Sequence, residues 1–233
     1  MPDSSSQLDP TLLDRFDDVE RILDATYGPR ILHERGDPVS GLIGTILSQS
    51  TSDINSSRAM ETLRDRFPAW NDVTEAAVED VRDAIRSGGL ANIKAPRIQA
   101  ALHTIGKRRS DMDLIFLKQM PVDDAMTWLT SIDGVGPKTA ACVLLFNLGM
   151  PVMPVDTHVG RVMTRIGILP DRTSTLRKQR MLEALIGPDP NRVYAVHVET
   201  IEHGRLICRS QRPQCPICPL KDHCDYYTEH YLS

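Results

Sequence analysis

The stretch IDGVGPKTAACVLLF, Ile132 to Phe146, leads two glycines and a proline into an apolar run whose first turn carries one lysine. Pro137 suits the first position of a helix, so the stretch reads as a helix entered through a tight turn. Lys138 is out of place there. A helix N-terminus presents bare amides and a partial positive charge, which disfavours an ammonium group in the first turn. On the other side, Val122, Ala125, Met126, Leu129 and Ile132 recur at helical spacing, so residues 122–132 form one amphipathic helix and residues 138–148 the next. Between them, Gly134 and Gly136 allow positive φ and close approach of a ligand to the backbone. Such a hairpin aims successive amides outward, where an anion such as a DNA phosphate is welcome. A plain tight helix connection would use the same glycines.

The helical period extends along the chain. Leu12, Phe16, Val19, Leu23; Met60, Leu63, Phe67; Val78, Val81, Ile85; and Ile98, Leu102, Ile105 each supply one buried face, and strand alternation is nearly absent. Breaks fall at Gly28-Pro29, Asp37-Pro38, Phe67-Pro68, Gly88-Gly89, Met120-Pro121, Gly149 to Pro154 and Gly187 to Pro190. The expected fold is all-α, with roughly nine or ten short helices.

With 233 residues, 41% of them hydrophobic, the chain is long enough for one large or two small domains. Its apolar runs are too short to cross a bilayer and the polar start MPDSSSQLDP lacks the apolar centre of a secretory signal, so a cytoplasmic protein is expected, nucleoid-associated if bacterial, with no membrane partner. The net charge of −4 argues against a polyanionic partner until its distribution is considered. Residues 1–40 hold nine acids against four arginines, which leaves the rest of the chain slightly basic, with clusters at Lys107-Arg108-Arg109, Arg161 to Arg180 and Arg205 to Arg212.

Four of the five cysteines, Cys208, Cys215, Cys218 and Cys224, are spaced C-x6-C-x2-C-x5-C. In a reducing compartment such clustering points to metal ligation. One zinc ion or an iron-sulfur cluster would each take four thiolates. Zinc ribbons favour two close pairs; the single close pair here leans towards a cubane. Cys142, inside an apolar helix, reads as a core residue.

Together, I-D-G-V-G-P-K-T-A, then V-D-T-H-V-x-R-V from Val155, then the cysteine tail resemble the endonuclease III family of helix-hairpin-helix DNA glycosylases. The resemblance runs from Ile46 to Cys224. It implies a [4Fe-4S] cluster on the four cysteines and two helical domains flanking a DNA-binding cleft. One is a helical barrel domain of residues 31–150 that carries the hairpin. The other is a discontinuous cluster domain of residues 1–30 and 151–233.

By position in the motif, Lys138 resembles the nucleophile that attacks C1′ of the damaged nucleotide, and Asp156 the carboxylate that relays protons or offsets charge building on the sugar. Asp156 also reads as an ordinary N-cap, and His158 as a supporting residue. A base cannot be reached inside the stack, so the nucleotide must be turned out and the gap filled. Two stretches resemble the family's wedge loops: Ser48 to Asp53, and Gly88 to Lys94. In the first, the family's glutamine falls one place later, at Ser50, with Gln49 beside it. Leu90 or Asn92 is expected at the opposite strand, Asp53 in the base pocket, Gly134 and Gly136 at a phosphate, and Arg209 and Arg212 at others.

The resulting expectation is a monomeric bifunctional glycosylase and abasic-site lyase that removes oxidised pyrimidines from double-stranded DNA and cuts the strand by β-elimination. A mismatch-specific thymine or uracil glycosylase and a non-catalytic damage-binding relative are the alternatives.

Overall fold

The structure, a computed structural model, describes residues 9–232, and most of the polar N-terminal stretch read above lies outside them. The described residues contain no strand and eleven α-helices of six residues or more. They fall into two compact units: His33–Met150, and the described parts of Met1–Leu32 and Pro151–Ser233.

In the first unit the order is α2 (Pro38–Leu47), α3 (Asp53–Arg66), α4 (Trp70–Glu75), α5 (Val78–Ala84), α6 (Ala91–Arg108), α7 (Val122–Thr130) and α8 (Pro137–Leu148), with α1 (Pro10–Tyr27) belonging to the other unit. Helix α8 is the centre of this unit. Every residue from Thr139 to Leu145 is buried, so the helix has no solvent face and must be enclosed by its neighbours, chiefly α2 and α7. Helices α2 and α8 meet tightly at Gly41, where a Cβ would fall 2.0 Å from Asn147 Oδ1. Asn147 is itself buried and donates to the Arg35 carbonyl, so its amide fixes the chain entering α2. Asp37 caps α2 by accepting from the Val39 and Ser40 amides at 3.1 and 2.9 Å, and accepts from Trp70 Nε1 of α4 at 3.3 Å.

The second unit contains α1, α9 (Thr157–Ile166), α10 (Thr175–Ile186) and α11 (Pro190–Leu206), followed by short helical turns around the cysteines. Phe16, Val19 and Leu23 of α1 are fully buried, as their spacing predicts. Arg192 clamps α11 to α1: its guanidinium donates to Glu20 Oε1 at 2.7 Å and to Asp17 Oδ1 at 2.8 Å.

Among the described residues eleven helices stand where roughly nine or ten were expected, and the breaks read at Asp37-Pro38 and Asp189-Pro190 fall where helices begin. In each the aspartate caps the first turn and the proline takes the first helical position, as Asp9-Pro10 does for α1.

Glu199 of α11 is 1% exposed, and its Oε1 has no partner among the described residues. Burial, reinforced by the charge of Asp24, pushes its pKa up to about 7. The folded state therefore holds this proton more tightly than the unfolded chain, whose glutamates titrate near ~4.3. Its contribution is complete below that value and is lost as pH rises through about 7. The melting temperature should accordingly fall between about pH 5 and pH 8, and Glu199→Gln should flatten that fall when measured by circular dichroism.

Candidate DNA-processing site

The α7–α8 turn is built as its sequence suggests, with one correction. Gly134 takes φ +83°, but Gly136 is extended and serves as the N-cap of α8, so only one of the two glycines uses the left-handed region. Val135 between them is buried and anchors the turn to the core, while Gly134 and Gly136 are exposed. Gly136 has no side chain to cap the helix. The amides of Lys138 and Thr139 consequently have no acceptor among the described residues and remain available to an anion. Lys138 is partly exposed at the second position of α8. The preceding helix ends at Thr130, two residues short of the expected span: Ser131 still makes a helical bond to Thr127, but Ile132 closes a tighter turn on Leu129.

Asp156 is the N-cap of α9. Its Oδ1 accepts from the amides of His158 and Val159, both at 2.8 Å, which leaves Oδ2 without a hydrogen bond among the described residues. The His158 ring is held inside the same unit: Nδ1 lies 3.1 Å from Arg161 Nη2, and a Cβ on Gly204 would fall 2.9 Å from it.

Of the wedge candidates, Gln49 is partly exposed and Ser50, Asp53, Leu90 and Asn92 are exposed. Ser50 and Leu90 stand at φ +54° and +51°, a conformation that residues with a Cβ adopt only under constraint. Arg212 does the same at φ +50°. Three of the four left-handed non-glycine residues among the described ones are thus residues singled out from sequence, and backbone strain of this kind concentrates at functional sites.

The four cysteines line one cavity together with Arg165, His203 and Tyr226. Among the described residues no group of three or more histidine, cysteine, aspartate and glutamate side chains is gathered closely enough for a single metal ion. Burial pushes the Cys218 thiol up to about 12 and raises that of Cys224, so a cation is required to hold these sulfurs as thiolates. Cys142 is buried in α8, as expected.

Three residues that sequence reasoning passed over organise this loop. Arg165 donates to the carbonyls of Arg209 at 2.7 Å and Ser210 at 3.2 Å, with Nη1 3.5 Å from Cys208 Sγ. Arg161 donates to the carbonyls of Cys208 at 2.9 Å and Gly204 at 3.0 Å. His203 is 1% exposed, and burial drives its pKa down to about 4, so the ring is neutral. Its Nδ1 meets the Tyr27 hydroxyl at 2.9 Å and its Nε2 faces Cys218 Sγ at 3.5 Å. The two ring nitrogens thus bridge α1 and the cysteine loop. The basic run from Arg161 was visible in the sequence; that its members serve backbone carbonyls was not. Arg209 and Arg212 are exposed on the loop so held.

The class of this helical protein is given by comparison with known proteins, as a base excision DNA repair protein. The model of the HhH-GPD superfamily of base excision DNA repair proteins matches residues 43–188. Endonuclease III of Thermotoga maritima is 33% identical over 199 residues, covering 84% of this chain and 86% of that protein. An Arabidopsis thaliana protein named for DNA glycosylase activity, At3g47830, is 41% identical over 140 residues, 59% of this chain; the match spans 48% of that relative, about half its length. Among solved structures, a trapped endonuclease III–DNA covalent intermediate superposes with a TM-score of 0.78 at 27% identity, covering 93% of this chain and 97% of that one. The chain belongs to the endonuclease III family, within the HhH-GPD superfamily of base excision DNA repair proteins. It is a DNA-binding repair glycosylase, and no helix among its described residues is long and apolar enough to cross a membrane.

Because Asp156 caps α9, Asp156→Ala should lower stability by about 1 kcal/mol, whereas Asp156→Asn, which can still cap, should lower it by only a few tenths. Urea midpoints of the two variants check this.

Proposed function

We propose that the protein is a bifunctional glycosylase and abasic-site lyase that excises oxidised pyrimidines from duplex DNA, with Lys138 as nucleophile. The observation that carries this reading is the placement of Lys138. An amine stands one residue inside a helix whose glycine cap leaves the first-turn amides unpartnered, beside a turn suited to a phosphate. The amides and glycines 134 and 136 hold the backbone; the lysine, in its uncharged form, attacks C1′ of the everted nucleotide. The N-glycosidic bond breaks and the base leaves with a proton; the C1′–O4′ bond then opens as O4′ takes a proton, leaving an iminium between Nζ and C1′. Loss of a C2′ proton then expels the 3′ phosphate and cuts the strand. The trapped covalent intermediate of endonuclease III with DNA supports a covalent route in this family.

Asp156 has a free carboxylate oxygen while its other oxygen caps α9, which suits it to offset positive charge on the sugar and to accept or return a proton. The exposed loops at Gln49, Ser50 and Asp53 and at Leu90 and Asn92 are assigned to the gap and the base, and His158, Arg209 and Arg212 to the DNA face. Cys208, Cys215, Cys218 and Cys224 would hold a [4Fe-4S] cluster. Four cysteines lining one cavity make a thiol donor set of the kind such a cluster takes. When bound, the cluster cross-links the loop that carries Arg209 and Arg212.

Three measurements test the reading. Borohydride should trap the wild type on an abasic duplex, and Lys138→Ala should yield no adduct; a glycosylase without lyase action, or a damage-binding relative, would trap nothing in either form. Asp156→Asn should retain stability yet lose about 10²-fold in single-turnover excision of an oxidised pyrimidine. The purified protein should also be yellow-brown, with visible absorbance lost in Cys215→Ser; a colourless protein with stoichiometric zinc would overturn the cluster assignment.

A further inference from the structure

Lys94 is the one lysine buried among the described residues, at 1% exposure. It lies in the first turns of α6, and its Nζ donates to two backbone carbonyls, Leu47 at 2.6 Å and Gly88 at 2.8 Å. Neither acceptor is incidental. Leu47 is the last residue of α2, so its carbonyl is among those with no partner inside the helix, and an ammonium is favoured at that end. Gly88 closes the short turn Arg86–Gly88. Immediately beyond Leu47 come Ser48, Gln49 and Ser50; immediately beyond Gly88 come Gly89 and Leu90. One ammonium therefore pins the roots of both loops to the helix that follows the second.

Both loops hold a strained residue just past the pinned carbonyl. Leu90 has φ +51° and ψ +32°, and Ser50 has φ +54°. A leucine in this region is strained and persists only where its surroundings enforce it. Space is also restricted: a Cβ on Gly88 would fall 3.0 Å from Ala59 Cβ of α3, and one on Gly89 would lie 4.0 Å from Thr51 Oγ1, so the two loops abut. The strain leaves apolar side chains in solvent, with Leu90 52% and Ile93 47% exposed, and the groove they line also contains Arg82 and Arg86. An apolar tip flanked by cations is the composition that inserts between base steps while gripping the backbone.

We propose that Lys94 is a positioning residue, whose two hydrogen bonds lock the Ser48–Thr51 and Gly89–Asn92 loops into one rigid wedge that occupies the gap left by an everted nucleotide. Lys94 is buried and donates only inward, so it acts through the loops and touches no DNA. The inference rests on the base-excision reading above, but its test has a separate readout.

The probe is a duplex with a tetrahydrofuran abasic analogue opposite 2-aminopurine, whose fluorescence rises when its stacking is disturbed. Wild-type protein should produce the rise. Lys94→Met, which keeps the length and removes the donors, should lose most of it while binding an undamaged duplex as the wild type does. Leu90→Ala, an exposed change that leaves the pin intact, should lose the same signal. Single-turnover strand cleavage at a natural abasic site should fall by about tenfold to a hundredfold in Lys94→Met, the scale of an ångström-sized misplacement. Should Lys94→Met not fold, the signal in Leu90→Ala still decides whether the loops form a wedge. A full rise with Lys94→Met, or a full rise with Leu90→Ala, overturns the proposal. Borohydride trapping without any rise in the wild type overturns the wedge and leaves the base-excision reading standing; a rise without trapping does the reverse.

Discussion

The enclosure of α8 is the constraint on which the hairpin unit depends. A helix apolar on every side can be stable only if other helices cover it, and that cover leaves one end free for chemistry. The core of the helix is immobilised by its neighbours, so the first turn inherits a fixed direction. Val135 reinforces this by anchoring the turn itself. The proposed nucleophile thus stands on a helix enclosed by its neighbours, which is where a group that must meet a single carbon atom belongs.

The cysteine unit solves a different problem. A loop with little apolar content has no core of its own, and here its carbonyls are gathered by two guanidiniums, Arg161 and Arg165, that project from α9. Arginine suits this because its donors fan out in a plane and serve several acceptors at once. Gly204 is part of the same arrangement: the imidazole of His158 and the guanidinium of Arg161 occupy the space that any side chain there would need. The loop's shape is therefore specified from α9 and α11 as well as by whatever its thiols bind.

Much of this was legible in the sequence. Apolar periodicity located α1, α6 and α7 because each presents one buried stripe, and the motif around Lys138 located α8. Periodicity failed at α2, whose apolar residues surround a glycine-containing helix without a polar stripe, and no apolar series was read for α10 or α11. The Asp-Pro pairs held the needed information, since an aspartate immediately before proline caps as readily as it breaks. The site was legible where chemistry needs a particular residue at a particular spacing: the lysine, the aspartate and the cysteines. It was illegible where the role is long-range. Lys94 and Arg161 each reach a partner 47 residues away and His203 one 176 residues away, and nothing in the local pattern distinguishes them from solvated side chains.

The clamp between Arg192 and Glu20 joins residues 172 positions apart, and this separation bears on how the molecule assembles. During synthesis α1 emerges first, with Phe16, Val19 and Leu23 lacking the surface that will cover them until α11 has left the ribosome. The intervening hairpin unit has its own core and only local partners to find, so it is able to form in the meantime. The cysteine loop leaves the ribosome after α9, so the arginines that gather its carbonyls, Arg161 and Arg165, are already in place in the chain when it arrives.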